Sequence, residues 1–186
     1  MDRIVLASGS PRRKQLLEWA EIPFDVIISD ADELVPDNMP VTEVPVFLAS
    51  QKAALVRKKL QKNRIILAAD TVVLLDQQLL GKPADAADAV RMLRLLSGRT
   101  HQVITGVSLT DASREVLFAE TTDVRFHSLS IQEIQHYVDN YRPYDKAGAY
   151  AIQEWIGVTG IHSIQGDFYN VMGLPVSRVL QELKSF

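Results

Sequence analysis

The chain of 186 residues is 47% hydrophobic and 23% charged, carries a net charge of −3 and has no cysteine. That length and mix suit one sizeable domain, or two lobes sharing one core, and lie far from the composition of disordered chains. The slight acidity argues against a generic nucleic-acid or anionic-membrane binder, and the missing cysteines exclude disulfides, thiolate metal sites and a cysteine nucleophile. No apolar run approaches the ~20 residues of a membrane span, and Met1-Asp2-Arg3 is too short for the charged start of a signal peptide. A cytoplasmic location is the expectation.

Ile4-Val5-Leu6-Ala7 reads as a buried strand, and Gln15-Leu16-Leu17-Glu18-Trp19-Ala20 as a helix with an apolar inner face. Between them Ser8-Gly9-Ser10-Pro11-Arg12-Arg13 forms a tight turn and a helix start, with Ser10 as N-cap and Pro11 at the first helical position. Arg12 and Arg13 put two positive charges at the positive end of the helix dipole, where carboxylates are favoured. An anion on that helix start would cancel all three sources, and arginine is a two-pronged phosphate partner. The bland alternative is a capped surface helix with solvated arginines.

Phe24-Asp25-Val26-Ile27-Ile28 is a second strand. Residues 29–40 are acidic and broken by Pro36 and Pro40, so they form a loop, in which Asp30, Asp32 and Glu33 are either a cation-binding cluster or a solvated acidic stretch. From Thr42 as N-cap an amphipathic helix runs to about Gln61, with Val46, Phe47, Ala49, Ala53, Ala54 and Val56 facing inward and Lys52 at its middle. Ile65-Ile66-Leu67-Ala68-Ala69 has the unbroken apolar character of a central strand covered on both faces. It meets Asp70-Thr71 before Val72-Val73-Leu74-Leu75 resumes. A carboxylate between two such runs is expensive to bury unless it meets a metal, a cation or a proton in use; otherwise it caps a strand end.

Asp76-Gln77-Gln78 is a turn, and Leu79-Leu80 leads to Gly81-Lys82-Pro83, a lysine in a constrained loop. Residues 84–96 have helical spacing and stop at Ser97-Gly98. Residues 100–110 and 115–127 form an antiparallel pair. Ser130-Ile131-Gln132-Glu133 is a capping box opening a helix to about Tyr141. Asp145-Lys146-Ala147-Gly148-Ala149-Tyr150-Ala151-Ile152-Gln153 is small and polar, followed by glycine-punctuated strand material to Gln165. Gly173-Leu174-Pro175 starts a last helix. The four histidines have no metal-ligand spacing, so no zinc site is expected. No phosphate-loop or dinucleotide glycine fingerprint occurs, and Gly9-Ser10-Pro11 is not a nucleophile elbow. There is no repeat or linker, and one domain over residues 1–186 is expected.

Four of these signals occur together: Ser8-Gly9-Ser10-Pro11-Arg12-Arg13, Ala69-Asp70-Thr71, Gly81-Lys82-Pro83, and the run from Asp145 to Gln153. Their order and spacing resemble the Maf family of nucleoside triphosphate pyrophosphatases across essentially the whole chain. The resemblance implies an α/β, Maf/ITPase-like fold, in which a long twisted mixed sheet with flanking helices forms two lobes around a central cleft. It implies hydrolysis of a nucleoside triphosphate to the monophosphate and diphosphate with a divalent metal cation, Mg²⁺ or Mn²⁺. By the same resemblance Asp70 is the proton acceptor, and Arg12, Thr71 and Gln153 bear on substrate choice. Ser8, Ser10, Arg13, Lys52 and Lys82 surround the phosphates, and Glu33 with Asp70 holds the metal. Ala69-Asp70-Thr71 together with Gln153 is similar to the subgroup acting on dTTP and UTP, with modified pyrimidine triphosphates as further candidates. The acidic loop is where the match is loosest.

The residues agree with that chemistry. A triphosphate carries about four negative charges at neutral pH, which Arg12, Arg13, Lys52, Lys82 and a helix start can meet. Gln153 offers both a donor and an acceptor to a pyrimidine edge. Asp70 is open to two roles, base or metal ligand. The rival readings are a non-catalytic nucleotide-binding regulator, which explains the buried acid worst, and a different phosphate enzyme. The expected partner is a small-molecule nucleoside triphosphate, with no nucleic acid and no membrane. A homodimer is the expected assembly.

Overall fold

The apolar runs at the chain start and at its centre become neighbouring strands of a mixed α/β fold. The computed structural model describes residues 3–29 and 34–186. Among them the order is β1 (Ile4–Leu6), α1 (Pro11–Trp19), β2 (Phe24–Val26), α2 (Val44–Lys59), β3 (Ile66–Leu75), β4 (Gln78–Leu80) and α3 (Ala86–Leu96). It continues with β5 (Thr100–Thr110), β6 (Glu115–Phe126), α4 (Ile131–Tyr141), a 3-10 turn at Ala147–Ala149, α5 (Trp155–Gly160), β7 (Ile161–Gln165), α6 (Phe168–Met172) and α7 (Val176–Leu183). The strands form a seven-stranded mixed sheet in the order β2-β1-β3-β5-β6-β7, with β4 paired to β3 off that path. β1 runs parallel to β2 and β3, whereas β3–β4 and β6–β7 are antiparallel. None of the described helices is long and apolar enough to cross a membrane.

The chain folds as two compact units. The first comprises Met1–Asp70, Thr105–Glu120 and Gly173–Phe186, and the second Thr71–Ile104 and Thr121–Met172. In the first, Val5 and Ala7 of the opening run, Ile66 and Ala68 of β3, and Ala53 and Val56 of α2 make a core of small and branched side chains. Small residues on the strands let α2 approach the sheet closely. The buried face of α2 is Val44, Pro45, Leu48, Ala49, Ala53 and Val56, so of the expected inner residues Val46 and Phe47 are only half-buried and Ala54 is exposed. Thr42 does not cap this helix; Glu43 takes that position without a side-chain hydrogen bond. With Thr42 as cap, the third helical residue would be Pro45, which has no N–H to give the hydroxyl.

In the second unit α3 and α4 pack Ala89, Leu93, Leu96, Ile134 and Val138 against Val73, Leu75, Val103, Val124 and Phe126 from the strands. Each fully buried leucine contributes about 1.5–3 kcal/mol. The capping box of α4 is formed, with the Ser130 backbone N–H donating to Glu133 Oε2 at 2.7 Å and the Glu133 N–H donating to Ser130 Oγ at 3.2 Å. Asp76 and Gln77 both adopt positive φ, the conformation of a tight turn joining β3 to β4. β3 runs unbroken from Ile66 to Leu75, so Asp70-Thr71 lies within the strand and does not cap its end. One expectation fails. Residues 155–160, expected as strand, form α5, opened by the Gly157 and Val158 N–H groups donating to the Glu154 carbonyl at 2.9 and 3.3 Å. The weak β preference of Ile156, Val158 and Thr159 does not prevail there.

A buried polar pair sits in this second core. His101 Nε2 and the Tyr150 hydroxyl are 2.7 Å apart, with the Phe126 ring centroid 5.4 Å from the His101 ring and 5.0 Å from the Tyr150 ring. Burial lowers the His101 pKa from 6.5 to about 4 and raises that of Tyr150. Below pH 6.5 the unfolded chain takes a proton at His101 that the folded chain refuses until about pH 4. Stability is therefore lost as pH falls through that window, by on the order of 3 kcal/mol from this residue. His101→Gln keeps a partner for the Tyr150 hydroxyl without titrating. It should flatten this part of the pH–stability curve in urea unfolding, and a curve parallel to the parent's would show that another group carries the loss.

Candidate functional site

The first unit supplies an electropositive turn and a buried carboxylate. The register Val5↔Ile66 and Leu6↔Leu67, with the Ala7 N–H donating to the Leu67 carbonyl at 2.8 Å, carries Ser8-Gly9-Ser10 out beside Ala69-Asp70. That is the carboxyl end of a parallel strand, where α/β sheets bind ligands. Ser10 caps α1, accepting from the Arg13 N–H at 3.5 Å, and Pro11 opens the helix. The first turn contains no acidic residue, so the helix dipole and the two arginines add.

Arg13 is held in a defined pose. Its Nε donates to the Gly173 carbonyl at 2.8 Å and its Nη1 to Ser8 Oγ at 3.2 Å, and the same Ser8 oxygen accepts from the Ser10 N–H at 3.2 Å. Gly173 has φ +115°, a conformation open to glycine, which turns its carbonyl toward the guanidinium. The sequence marks Gly173 only as a helix start, and nothing local announces a partner for Arg13.

Asp70 meets a cation. Lys52 Nζ, reaching from α2, donates to Asp70 Oδ1 at 2.5 Å, and each side chain is only 13% exposed. A carboxylate in an apolar strand is stable there because the ammonium offsets its desolvation. The expected helical lysine and strand aspartate thus form one unit.

The second unit holds Thr71, Lys82 and Gln153. Thr71 is half-buried on β3, next in the chain to Asp70, while Lys82 and Gln153 are exposed. The Gly148 N–H donates to the Gly81 carbonyl at 3.0 Å, which ties the Gly81-Lys82-Pro83 loop to the loop that ends in Gln153. Gly148 has φ +68°, and a Cβ there would come within 2.9 Å of the Val73 side chain. Lys146, in the same loop and buried, pairs with Asp145 at 2.7 Å and Glu154 at 3.5 Å. Its burial, like the choice of Glu154 as partner, has no sequence signature.

Glu33, expected to help hold a metal, lies outside the described residues, as do Asp30 and Asp32. Among the described residues no group of three or more histidine and acidic side chains could hold a metal ion. The donor set still fits one kind of ion. Mg²⁺ is satisfied by one or two carboxylates when phosphate oxygens and water complete its octahedron, and Asp70 is such a carboxylate beside basic groups suited to phosphate.

A family model described as "Maf-like protein" matches residues 3–186. The chain is 48% identical over 183 residues to a protein of Bacteroides fragilis named dTTP/UTP pyrophosphatase, covering 98% of this chain and 95% of that one. Proteins of the same name from Parabacteroides distasonis and Bacillus mycoides are each 46% identical, covering 99% and 100% of this chain and 96% of theirs.

Proposed function

The chain belongs to the family of Maf-like proteins, and on that premise we infer that it is a nucleoside triphosphate pyrophosphatase converting dTTP and UTP to the monophosphate and diphosphate. The observation that carries the reading is the Lys52–Asp70 pair on β3, whose parallel neighbour β1 leads into the Arg12-Arg13 helix start.

In this mechanism Arg12, Arg13 and the N–H groups of α1 take the phosphate oxygens, with Ser8 and the Gly173 carbonyl keeping Arg13 in register. Ser10 adds a contact to those phosphates, and Lys82 is assigned the same role from its family position alone. Lys52 orients the Asp70 carboxylate, which accepts the proton of a water as its oxygen bonds to the α-phosphorus. The bond from the α-phosphorus to the bridging oxygen breaks, and diphosphate leaves with that electron pair. Asp70 and Glu33 are the residues that would hold a divalent cation, Mg²⁺ or Mn²⁺. When bound, the ion would supply positive charge against the phosphates and ease deprotonation of water. Gln153 pairs a donor and an acceptor with the pyrimidine edge, and Thr71 and Arg12 shape the rest of that choice. A base with the wrong edge would leave that donor and acceptor unmatched once it covers them, which discriminates strongly.

The test is diphosphate release from UTP, dTTP, CTP, GTP and ATP with Mg²⁺, with Mn²⁺ and with chelator. Release from UTP and dTTP above the others, abolished by chelator, is the expected result. Binding without release from any of them would favour a nucleotide-binding regulator. We propose further that residues 1–186 act as one domain, supported by the family match across 3–186, and that the enzyme works in the cytoplasm, where its substrates are made. A homodimer is proposed from exposed apolar side chains such as Val158, 83% exposed, and Tyr169, 46% exposed; sedimentation equilibrium tests it.

A further inference from the structure

The short turn that presents Gln153 is closed on one buried hydroxyl. The Ala151 N–H donates to Tyr137 Oη at 3.1 Å, and Tyr137 Oη donates to Glu154 Oε2. The Glu154 N–H in turn donates to the Ala151 carbonyl at 3.1 Å. Both ends of the four-residue turn therefore converge on an atom of α4, and Tyr137 is fully buried. Ala151 and Ile152 are buried as well, at 4% and 5% exposure, while Gln153 between Ile152 and Glu154 is exposed.

Glu154 is the N-cap residue of α5, yet its side chain makes no capping hydrogen bond. Acidic cap side chains ordinarily take the free N–H groups of the first turn. This one turns away from its helix, and its other oxygen, Oε1, lies 3.5 Å from the buried Lys146 ammonium. Lys146 also holds Asp145 Oδ1 at 2.7 Å, at the start of the same loop. The carboxylate gives up a local cap to fasten the loop start, the Gln153 turn and α4 together.

We propose that Glu154, braced by Tyr137 and Lys146, is a specificity-determining positioning residue that fixes the pose of Gln153 toward the pyrimidine base. The inference rests on the reading that Gln153 contacts the base. A side-chain amide discriminates only if its carbonyl and NH₂ are held in the right sense, because a rotated amide presents the opposite pattern. Glu154 acts through Gln153 and touches no substrate.

The experiment compares kcat and KM for UTP and CTP in Glu154→Ala, Glu154→Gln, Tyr137→Phe and Gln153→Ala, with circular dichroism to establish folding. Glu154→Ala and Tyr137→Phe should raise KM for UTP about three- to tenfold and shrink the preference for UTP over CTP by a similar factor, the effect of losing one hydrogen bond. Their kcat for UTP should stay within about twofold, since the triphosphate machinery is untouched. Glu154→Gln keeps an acceptor for the Tyr137 hydroxyl and should restore most of the preference. A merely structural role would lower thermal stability and leave KM and preference alone. If Tyr137→Phe fails to fold, the two Glu154 variants decide. A folded Glu154→Ala with the parent's preference, alongside a Gln153→Ala that loses it, overturns the inference and spares the base contact. An unchanged preference in Gln153→Ala overturns the base contact, and the inference with it.

Discussion

Asp70→Asn should lose turnover by about 10²–10⁴-fold, the range for removing a general base, while nucleotide binding persists. The amide keeps the shape of the carboxylate and an oxygen for Lys52, whose ammonium lies 2.5 Å from Oδ1 in the parent, so the fold survives. It cannot accept a proton from water. Diphosphate release measures the loss, and a rise in melting temperature on adding UTP measures retained binding, since a ligand of the folded state stabilises by mass action. Near-parental turnover would remove Asp70 from the chemistry. Loss of both turnover and binding would make it a binding group instead. Lys52→Met separates the two partners further: it strands a mostly buried carboxylate without its cation and should cost stability as well as rate.

The largest stability effect is expected at Gly106. A Cβ there would lie 2.1 Å from the Val46 nitrogen and 2.2 Å and 2.4 Å from the Pro45 carbonyl carbon and oxygen. These are backbone atoms at the start of α2, so no side chain can swing aside. Gly106→Ala should destabilise by on the order of 3 kcal/mol or more, a fall in melting temperature of about 6–12 °C for a chain of this length. Because α2 carries Lys52, the helix shift that relieves the clash should also lower kcat. Gly81→Ala is the control: a Cβ at Gly81 meets no described atom within 4 Å, so its stability should stay within about 0.5 kcal/mol of the parent. Equal melting temperatures for the Gly106 variant and the parent would refute the close approach of α2 to β5.

Much of the architecture is legible in the residues because it rests on local chemistry. The capping box at Ser130 and Glu133 formed as expected, since both its hydrogen bonds join residues one turn apart. Ser10 and Pro11 begin α1 for the same reason. Where local signals compete with packing they mislead. Thr42 is a good cap by composition, but Pro45 removes the donor it needs. Residues 155–160 favour a strand, but the chain turns at Glu154 into a short helix.

The composition of the chain by itself determined the types of group available for its chemistry. These are paired arginines at a helix start, one aspartate inside an apolar strand, and loop lysines and a glutamine at family positions. Tertiary structure alone decided which of them meet. Lys52 and Asp70 are 18 residues apart and His101 and Tyr150 are 49 apart, while Arg13 finds its carbonyl 160 residues away at Gly173. Nothing in the sequence marks Glu154 out until the fold brings it to the Tyr137 hydroxyl. Hydrogen-bond capacity is a property of a residue, whereas a partner is a property of position in space, and position is set by strand register and helix packing summed over the whole chain.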